Sequence, residues 1–210
     1  DVQDDTCSVY QEITLGIDRV LSPLKNTNGQ LINQQEAQRS RRLLHMLRGK
    51  DDTEEHIRAI SDGLGISWEK GRIAVISIHL NKLPDNLPYQ EDEWNNDTLD
   101  TVLTQVMLAA FVSVLSPQID CRPAADDTRM ACVLSGIPQD MTMETLIHLL
   151  ETVRIYLRDQ LTIDVMIAIG HMDDSLSGLQ NSYRQARTTL EYMRMSKPDR
   201  HVMCYEEMEH

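Results

Sequence analysis

The sequence has 210 residues, of which 41% are hydrophobic and 25% are charged, and these ordinary values exclude a wholly disordered chain. Its formal net charge of −13 argues against direct binding to nucleic acid, because an acidic surface repels phosphate backbones. No stretch reaches the roughly 20 apolar residues of a membrane helix, and no signal-peptide pattern opens the sequence. We expect a cytoplasmic segment cut from a longer protein, with membrane contact only through an anchor elsewhere in that parent.

The first fifty residues have the spacing of helices. Apolar residues recur three, four or seven positions apart, as in a seam that faces a partner helix: Tyr10, Ile13, Ile17, Val20, Leu24 and Leu31. Ser22-Pro23 interrupts the run, since proline fits the first turn of a new helix better than a helix interior. Either this seam joins two copies in a homodimer, or it packs on the body of its own chain. We favour the homodimer, or helices that carry a signal.

Short apolar strands then alternate with amphipathic helices. Helices are predicted at 51–62, at 98–115, from Thr142 to Leu157 and from Asp174 or Ser175 to about Met195; strands are predicted at 72–80, 118–123, 129–135, 162–169 and 201–205. The segment 84–96 is rich in Pro, Asn, Asp and Glu and is predicted to be a surface loop. This order is typical of an α+β fold with a split βαβ core, in which helices pack on a face of one antiparallel sheet.

Four cysteines stand at positions 7, 121, 132 and 204, and no two of them form a Cys-x-x-Cys pair. Reduced thiols are therefore expected. With Ala125 to Thr128 as a four-residue turn, Cys121 falls opposite Cys132 in a hairpin. We predict that the two thiols lie side by side without a disulfide.

Several separate pieces of the sequence, in the right order, resemble a GGDEF domain. Ile167 to His171, Ser182 to Tyr192 and Val202 to Tyr205 are similar to its last strand–helix–strand unit. The Ser-Tyr-x-x-Ala form at 182–186, and the segment from Leu43 to Ile66, resemble the GGDEF-like domains of AraC-type (YesN-like) bacterial transcription regulators. The resemblance spans about 35–208 and implies a ferredoxin-like core. We divide the chain into an N-terminal helical linker or dimerisation segment, 1–66, and a degenerate GGDEF-like domain, 67–210.

In cyclases of this family, a turn between the two central strands uses glycines to approach GTP phosphates and acidic residues to bind metal. The resemblance places five residues on this signature turn: Asp126, Asp127, Thr128, Arg129 and Met130. Carboxylates replace both glycines, and His79-Leu80-Asn81 stands where the family keeps a metal-binding aspartate. A metal site built from Asp126, Asp127 and His79 is the less favoured interpretation. We expect no catalytic residue, no metal ligand, no cofactor and no enzymatic activity.

The resemblance therefore implies a non-catalytic regulatory or signal-relay domain of an AraC-type regulator. It would mediate dimerisation or couple a sensor to a DNA-binding output, and it would meet DNA only through a helix-turn-helix domain that is absent from this chain. The alternative is a nucleotide-sensing domain that binds GTP or cyclic di-GMP, or a residual nucleotidyl cyclase.

Overall fold

The computed structural model describes residues 2–22, 27–49, 53–82, 96–125, 129–197 and 199–208. Three helices open the chain: α1 (Val2–Leu21), α2 (Thr27–Leu47) and α3 (Glu54–Gly63). The first ends beside the interruption predicted at Ser22-Pro23. Of the predicted loop at 84–96, residues 84–95 lie outside the described ranges, and Asn96 already belongs to the next helix.

The remaining helices and strands follow the predicted order. They are β1 (Arg72–Lys82), α4 (Asn96–Leu115), β2 (Asp120–Ala125), β3 (Met130–Ile137), α5 (Met143–Leu161), β4 (Asp164–Ile169), α6 (Leu179–Ser196) and β5 (Val202–Cys204). The side chain of Thr142 accepts a hydrogen bond from the backbone N–H of Thr145 and begins α5, as predicted. A short 3-10 turn, Leu176–Gly178, precedes α6, and another, Tyr205–Met208, follows β5.

The five strands lie in the order β2-β3-β1-β4-β5. Strand β1 is antiparallel to both of its neighbours, and β2 is antiparallel to β3. Strands β1 to β4, with α4 and α5, form the split βαβ core, so the predicted α+β class is confirmed.

Strand β5 departs from the expected antiparallel sheet. It runs parallel to β4, with Ile167 beside Val202 and Ile169 beside Cys204. Parallel neighbours need a long crossover connection, and α6 supplies it. The sheet is therefore mixed at this edge.

Helices cover both faces of the sheet, whereas the sequence pattern led us to expect one covered face. Ala74, Ile76 and Ile78 of β1 belong to a core shared with α1, α4 and α5. Ile73 and Val75 belong to a second core shared with α2, α3 and α6. A strand that is buried on both faces has a nearly continuous apolar sequence, which explains the run from Ile73 to Ile78.

The residues that carry the family resemblance serve the close packing of α6 on the sheet. A Cβ at Gly170 would lie 2.0 Å from the carbonyl oxygen of Ser182, so only glycine fits there. The Ser182 hydroxyl accepts a hydrogen bond from the Val75 N–H and donates one to the His171 carbonyl, each 2.9 Å long. One side chain of α6 thus joins β1 to the end of β4. None of the helices in the described ranges has both the length and the apolar composition needed to cross a bilayer.

Candidate functional site

The last residues of β1 and the described end of the predicted signature turn lie at the same end of the sheet. Met130, the last residue of that turn and the first of β3, pairs with Ile78, which directly precedes His79 in β1. Strand β4 begins at the same end of the sheet, where Asp164 pairs with Lys82. The topology therefore brings together the two segments that the sequence analysis singled out.

Only part of the signature turn can be described. Asp126, Asp127 and Thr128 lie outside the described residues. Arg129 is exposed, and Met130 is half-buried against the core shared with α4 and α5.

His79 and Asn81, which stand where the family's metal-binding aspartate is expected to be lost, lie near the end of β1. Partial burial lowers the pKa of His79, and the nearby Arg194 lowers it further, while Glu191 acts in the opposite direction. The neutral imidazole is therefore favoured. The side-chain amide of Asn81 donates a hydrogen bond to a carboxylate oxygen of Asp164 over 3.1 Å.

These described groups do not by themselves fit the divalent metal that the cyclases use. Magnesium takes six oxygen ligands, often with several waters, and is usually held by one or two carboxylates together with substrate phosphates. At this end of the sheet, the described oxygen ligands are the carboxylate of Asp164 and the side-chain oxygen of Asn81. Within the described ranges, no three His, Cys, Asp or Glu side chains cluster as metal ligands would.

Helix α2 contacts the strand that enters the signature turn, a feature that the sequence analysis missed. The buried Ser40 hydroxyl accepts a hydrogen bond of 2.8 Å from the backbone N–H of Ala125, the last residue of β2. Strand β2 is an edge strand, so its outward N–H groups have no neighbouring strand to bond. A single serine within a polar stretch of α2 gave no signal of this role.

The predicted dimer seam is corrected by the packing of α1. Ile13 and Ile17 are buried in their own chain's core with α4 and α5, so they do not face a partner. Tyr10 makes an edge-to-face contact with Tyr156 of α5, with ring centroids 5.2 Å apart, and Thr14 shares a hydrogen bond of 2.9 Å with the Tyr156 hydroxyl. Leu24 and the side chains of Val20 and Leu31 lie outside the described part of the structure.

The contact between α1 and α4 is close. A Cβ at Gly16 would lie 2.3 Å from the Ser113 hydroxyl oxygen, so the glycine allows the two helices to approach. Two apolar residues of this pair point outward instead: Leu15 is 56% exposed and Val112 is 38% exposed. Each helix therefore carries one exposed apolar side chain.

The β2–β3 hairpin has a different register from the predicted one. Ala125 pairs with Met130, and Cys132 lies opposite Pro123 rather than Cys121. The last pair before the connection is therefore 125 with 130, whereas the prediction had 124 with 129, so the pairing is displaced by one position on each strand. The two thiols are nevertheless diagonal neighbours: a hydrogen bond with Cys132, and then burial, raise the pKa of Cys121. Both are free thiols, as predicted.

Comparison with known proteins gives two findings. Residues 48–192 match the sequence profile of a family described as "GGDEF-like domain". The chain is also similar to a solved structure titled "Structure of the active GGEEF domain of a diguanylate cyclase from Vibrio cholerae", at 19% identity over 70% of this chain and 88% of that one, with a TM-score of 0.40. No curated protein matches the sequence.

The prediction that this chain is not an enzyme is contradicted by these findings. The matched family is related to the diguanylate cyclases, which are enzymes. The likeness to the solved structure, with a TM-score of 0.40, assigns no activity to this chain. The exclusion of enzymatic activity also rested on residues 126–128, of which the structure says nothing. It is therefore withdrawn.

Proposed function

The chain belongs to the GGDEF-like domain family, and we propose that it is a regulatory domain of a bacterial AraC-type transcription regulator, acting in the cytoplasm. In this role it couples a sensor to a DNA-binding output. The observation that carries the proposal is the hydrogen bond from the Ala125 N–H to Ser40, which connects α2 to the strand that enters the signature turn.

Coupling through this bond has a physical basis. If α2 moves away, the Ala125 N–H loses its partner, which costs about 1–3 kcal/mol unless water replaces it. Helix α2 is also attached to α6, because the buried Gln180 amide donates a hydrogen bond of 3.1 Å to the Met46 carbonyl. A displacement of α2 is therefore linked in free energy to the turn and to α6, as a relay requires.

The AraC-type context is supported by the sequence resemblance of Leu43 to Ile66 and of Ser182 to Ala186. Its test is the coding sequence on both sides of this segment. We expect a helix-turn-helix domain downstream and a sensor upstream. A different kind of output domain would overturn this assignment without affecting the coupling by Ser40.

A reporter assay in the parent regulator tests the relay itself. Ser40→Ala should change the response to the inducing signal, because it removes the acceptor of the Ala125 N–H. Gln38→Ala, an exposed substitution on the same helix, is the matched control and should leave the response unchanged. Equal responses of the two variants would contradict the proposal.

We also propose homodimerisation for the regulator. The buried positions of Ile13 and Ile17 move the contact from the predicted seam to the outer surface of α1 and α4, where Leu15 and Val112 are exposed. We assign contact with DNA to the output domain, because the net charge of −13 on this chain opposes binding to phosphate backbones.

The alternative function is nucleotide sensing or nucleotidyl cyclase activity, which membership of a family related to the diguanylate cyclases favours. Calorimetric titration with GTP and with cyclic di-GMP, each with magnesium, measures binding. Chromatography of a GTP incubation measures turnover. Saturable binding that is weakened by Arg129→Ala would support a sensor at the signature turn, and a cyclic dinucleotide product would identify a cyclase.

A further inference from the structure

Three methionine side chains form a buried cluster between α6 and the sheet. Met166 of β4, Met193 of α6 and Met203 of β5 are at most 5% exposed and pack together in a small core of their own. We call these three residues the methionine cluster. The partly buried side chains packed against it are those of Leu190, Tyr192 and Met208. Three thioether groups from three different elements are therefore gathered in one apolar core.

A histidine lies beside the methionine cluster, where β5 begins. The backbone N–H of Ile167 donates a hydrogen bond of 2.7 Å to the His201 carbonyl, and Ile167 pairs with Val202. Successive side chains of a strand point to opposite faces of a sheet, and neighbouring strands lie about 4.8 Å apart. This register therefore places His201 next to Met166, on the face that carries Met203.

The ring of His201 has bonding capacity that the protein does not use. Its Nδ1 atom is buried and has no hydrogen-bond partner in the part of the chain that the structure describes. Buried polar atoms without a partner are uncommon and call for an explanation. With its hydrogen on Nε2, the imidazole presents a lone pair at Nδ1, and this neutral form is the one that binds metal ions. The residue as a whole is half-buried, so an ion has a path to it from solvent.

We propose that His201 and the methionine cluster bind a soft monovalent metal ion, Cu(I). The Nδ1 atom of His201 supplies one ligand, and the thioether sulfurs of the cluster supply the others. Thioethers and imidazoles suit Cu(I), whereas magnesium takes oxygen ligands and zinc takes thiolates, imidazoles and carboxylates. None of the ligands in this set is a carboxylate, so the site differs in chemistry from the magnesium position of the cyclases.

The ion lies on the β5 side of Met166. On its other side Met166 pairs with His79 of β1, and Arg194 is close enough to His79 to lower the pKa of its imidazole. A guanidinium group at that position repels a second cation, so His79 is not a ligand. An ion bound by His201 and the methionine cluster joins β4, β5 and α6.

Anaerobic titration of the 210-residue chain with Cu(I), supplied as its bicinchoninate complex, tests the proposal. Cys7 is exposed and would bind the same metal, so Cys7→Ser is the background for every measurement. In NMR of labelled methionine methyl groups, the signals of Met166, Met193 and Met203 should shift in a saturable way, and that of the exposed Met195 should stay in place. Zn(II) should shift none of the three. Absence of these shifts with Cu(I), or equal shifts with both metals, would overturn the proposal.

Variants identify the ligands. Loss of an outer partner of a metal ligand typically costs 10–100-fold in affinity, so His201→Gln, which removes a ligand itself, should weaken Cu(I) binding at least about 100-fold. His148→Gln, at an exposed position of α5, is the matched control and should bind as the Cys7→Ser background does. Met193→Leu nearly conserves the side-chain volume and should weaken binding about tenfold, so it covers the case in which His201→Gln disturbs β5. If His201→Gln and Met193→Leu both bind Cu(I) with the affinity of the background, the site assignment is wrong.

Discussion

At the scale of single residues, Ser182 joins three segments through one hydroxyl group. It lies on α6, accepts from the Val75 N–H of β1 and donates to the His171 carbonyl after β4. Its neighbour across the contact is Gly170, where any side chain would collide with the α6 backbone. The motif that carries the family resemblance is thus explained by packing at this junction.

Ser182→Ala should lower the free energy of unfolding by about 1–3 kcal/mol, because the buried Val75 N–H loses its acceptor. Ser196→Ala, at the exposed end of the same helix, should change it by less than about 0.5 kcal/mol. Urea unfolding followed by circular dichroism measures both variants. Similar losses in the two would show that the hydroxyl contributes little.

The cysteines should differ in their reactivity toward iodoacetamide at pH 8. Only the thiolate reacts. Burial raises the pKa of Cys204 to about 11, and a hydrogen bond with Cys132, followed by burial, raises the pKa of Cys121. Cys7 is exposed, whereas Cys121, Cys132 and Cys204 are buried. Mass spectrometry of the native protein should find Cys7 modified first. Modification of Cys121 or Cys132 at the same rate would contradict the packed hairpin.

At the scale of elements, α1 shows what a hydrophobic period does and does not determine. The spacing of Tyr10, Ile13 and Ile17 correctly predicts a helix with an apolar face. It does not say which surface covers that face, because a helix of the same chain and a helix of a partner bury it equally well. The burial of Ile13 and Ile17 in the core with α4 and α5 shows that the same chain covers this face.

Leu15→Glu should raise the dissociation constant of the proposed homodimer about tenfold, because it replaces the exposed apolar side chain of α1 with a charge. Gln11→Glu adds the same charge at another exposed position of α1 and should have little effect. Light scattering over a range of concentrations measures the mass of each. Deletion of residues 1–48 would not test the dimer surface by itself, because it would also expose the core around Ile13 and Ile17 to solvent. An unchanged mass for Leu15→Glu would remove this surface from the dimer.

The hairpin shows why register is harder to predict than strand identity. Both strands were predicted, but placing the turn one residue early moved Cys132 from Pro123 to Cys121. Because this shift changes the pairing by two residues, each thiol stays on its predicted face and the two remain neighbours. The turn was predicted only one residue away from where the pairing places it. An error of this size still assigns the residues of a signature turn to positions that are one place off.

At the scale of the whole molecule, the order of strands and helices was sufficient to predict the split βαβ core. The second covered face and the parallel fifth strand were not predicted, because both depend on where α2 and α6 pack rather than on local pattern. A cavity of about 360 Å³, which lies where β1 begins and where β4 and β5 end, could not be predicted for a similar reason. Three residues of its lining, Arg72, Glu144 and Glu206, are far apart in sequence, and only the folded sheet brings them together at one end of the strands.

If α2 holds the strand that leads into the signature turn, hydrogen exchange at the Ala125 amide should depend on the Ser40 hydroxyl. The Ser40 hydroxyl is the acceptor of that N–H, so Ser40→Ala should speed its exchange about tenfold, with Gln38→Ala matching the unmodified protein. Both variants should stay folded, as judged by unchanged protection in β1. A Ser40→Ala protein that is folded, and in which Ala125 exchanges at the unmodified rate, would contradict the coupling on which the relay rests.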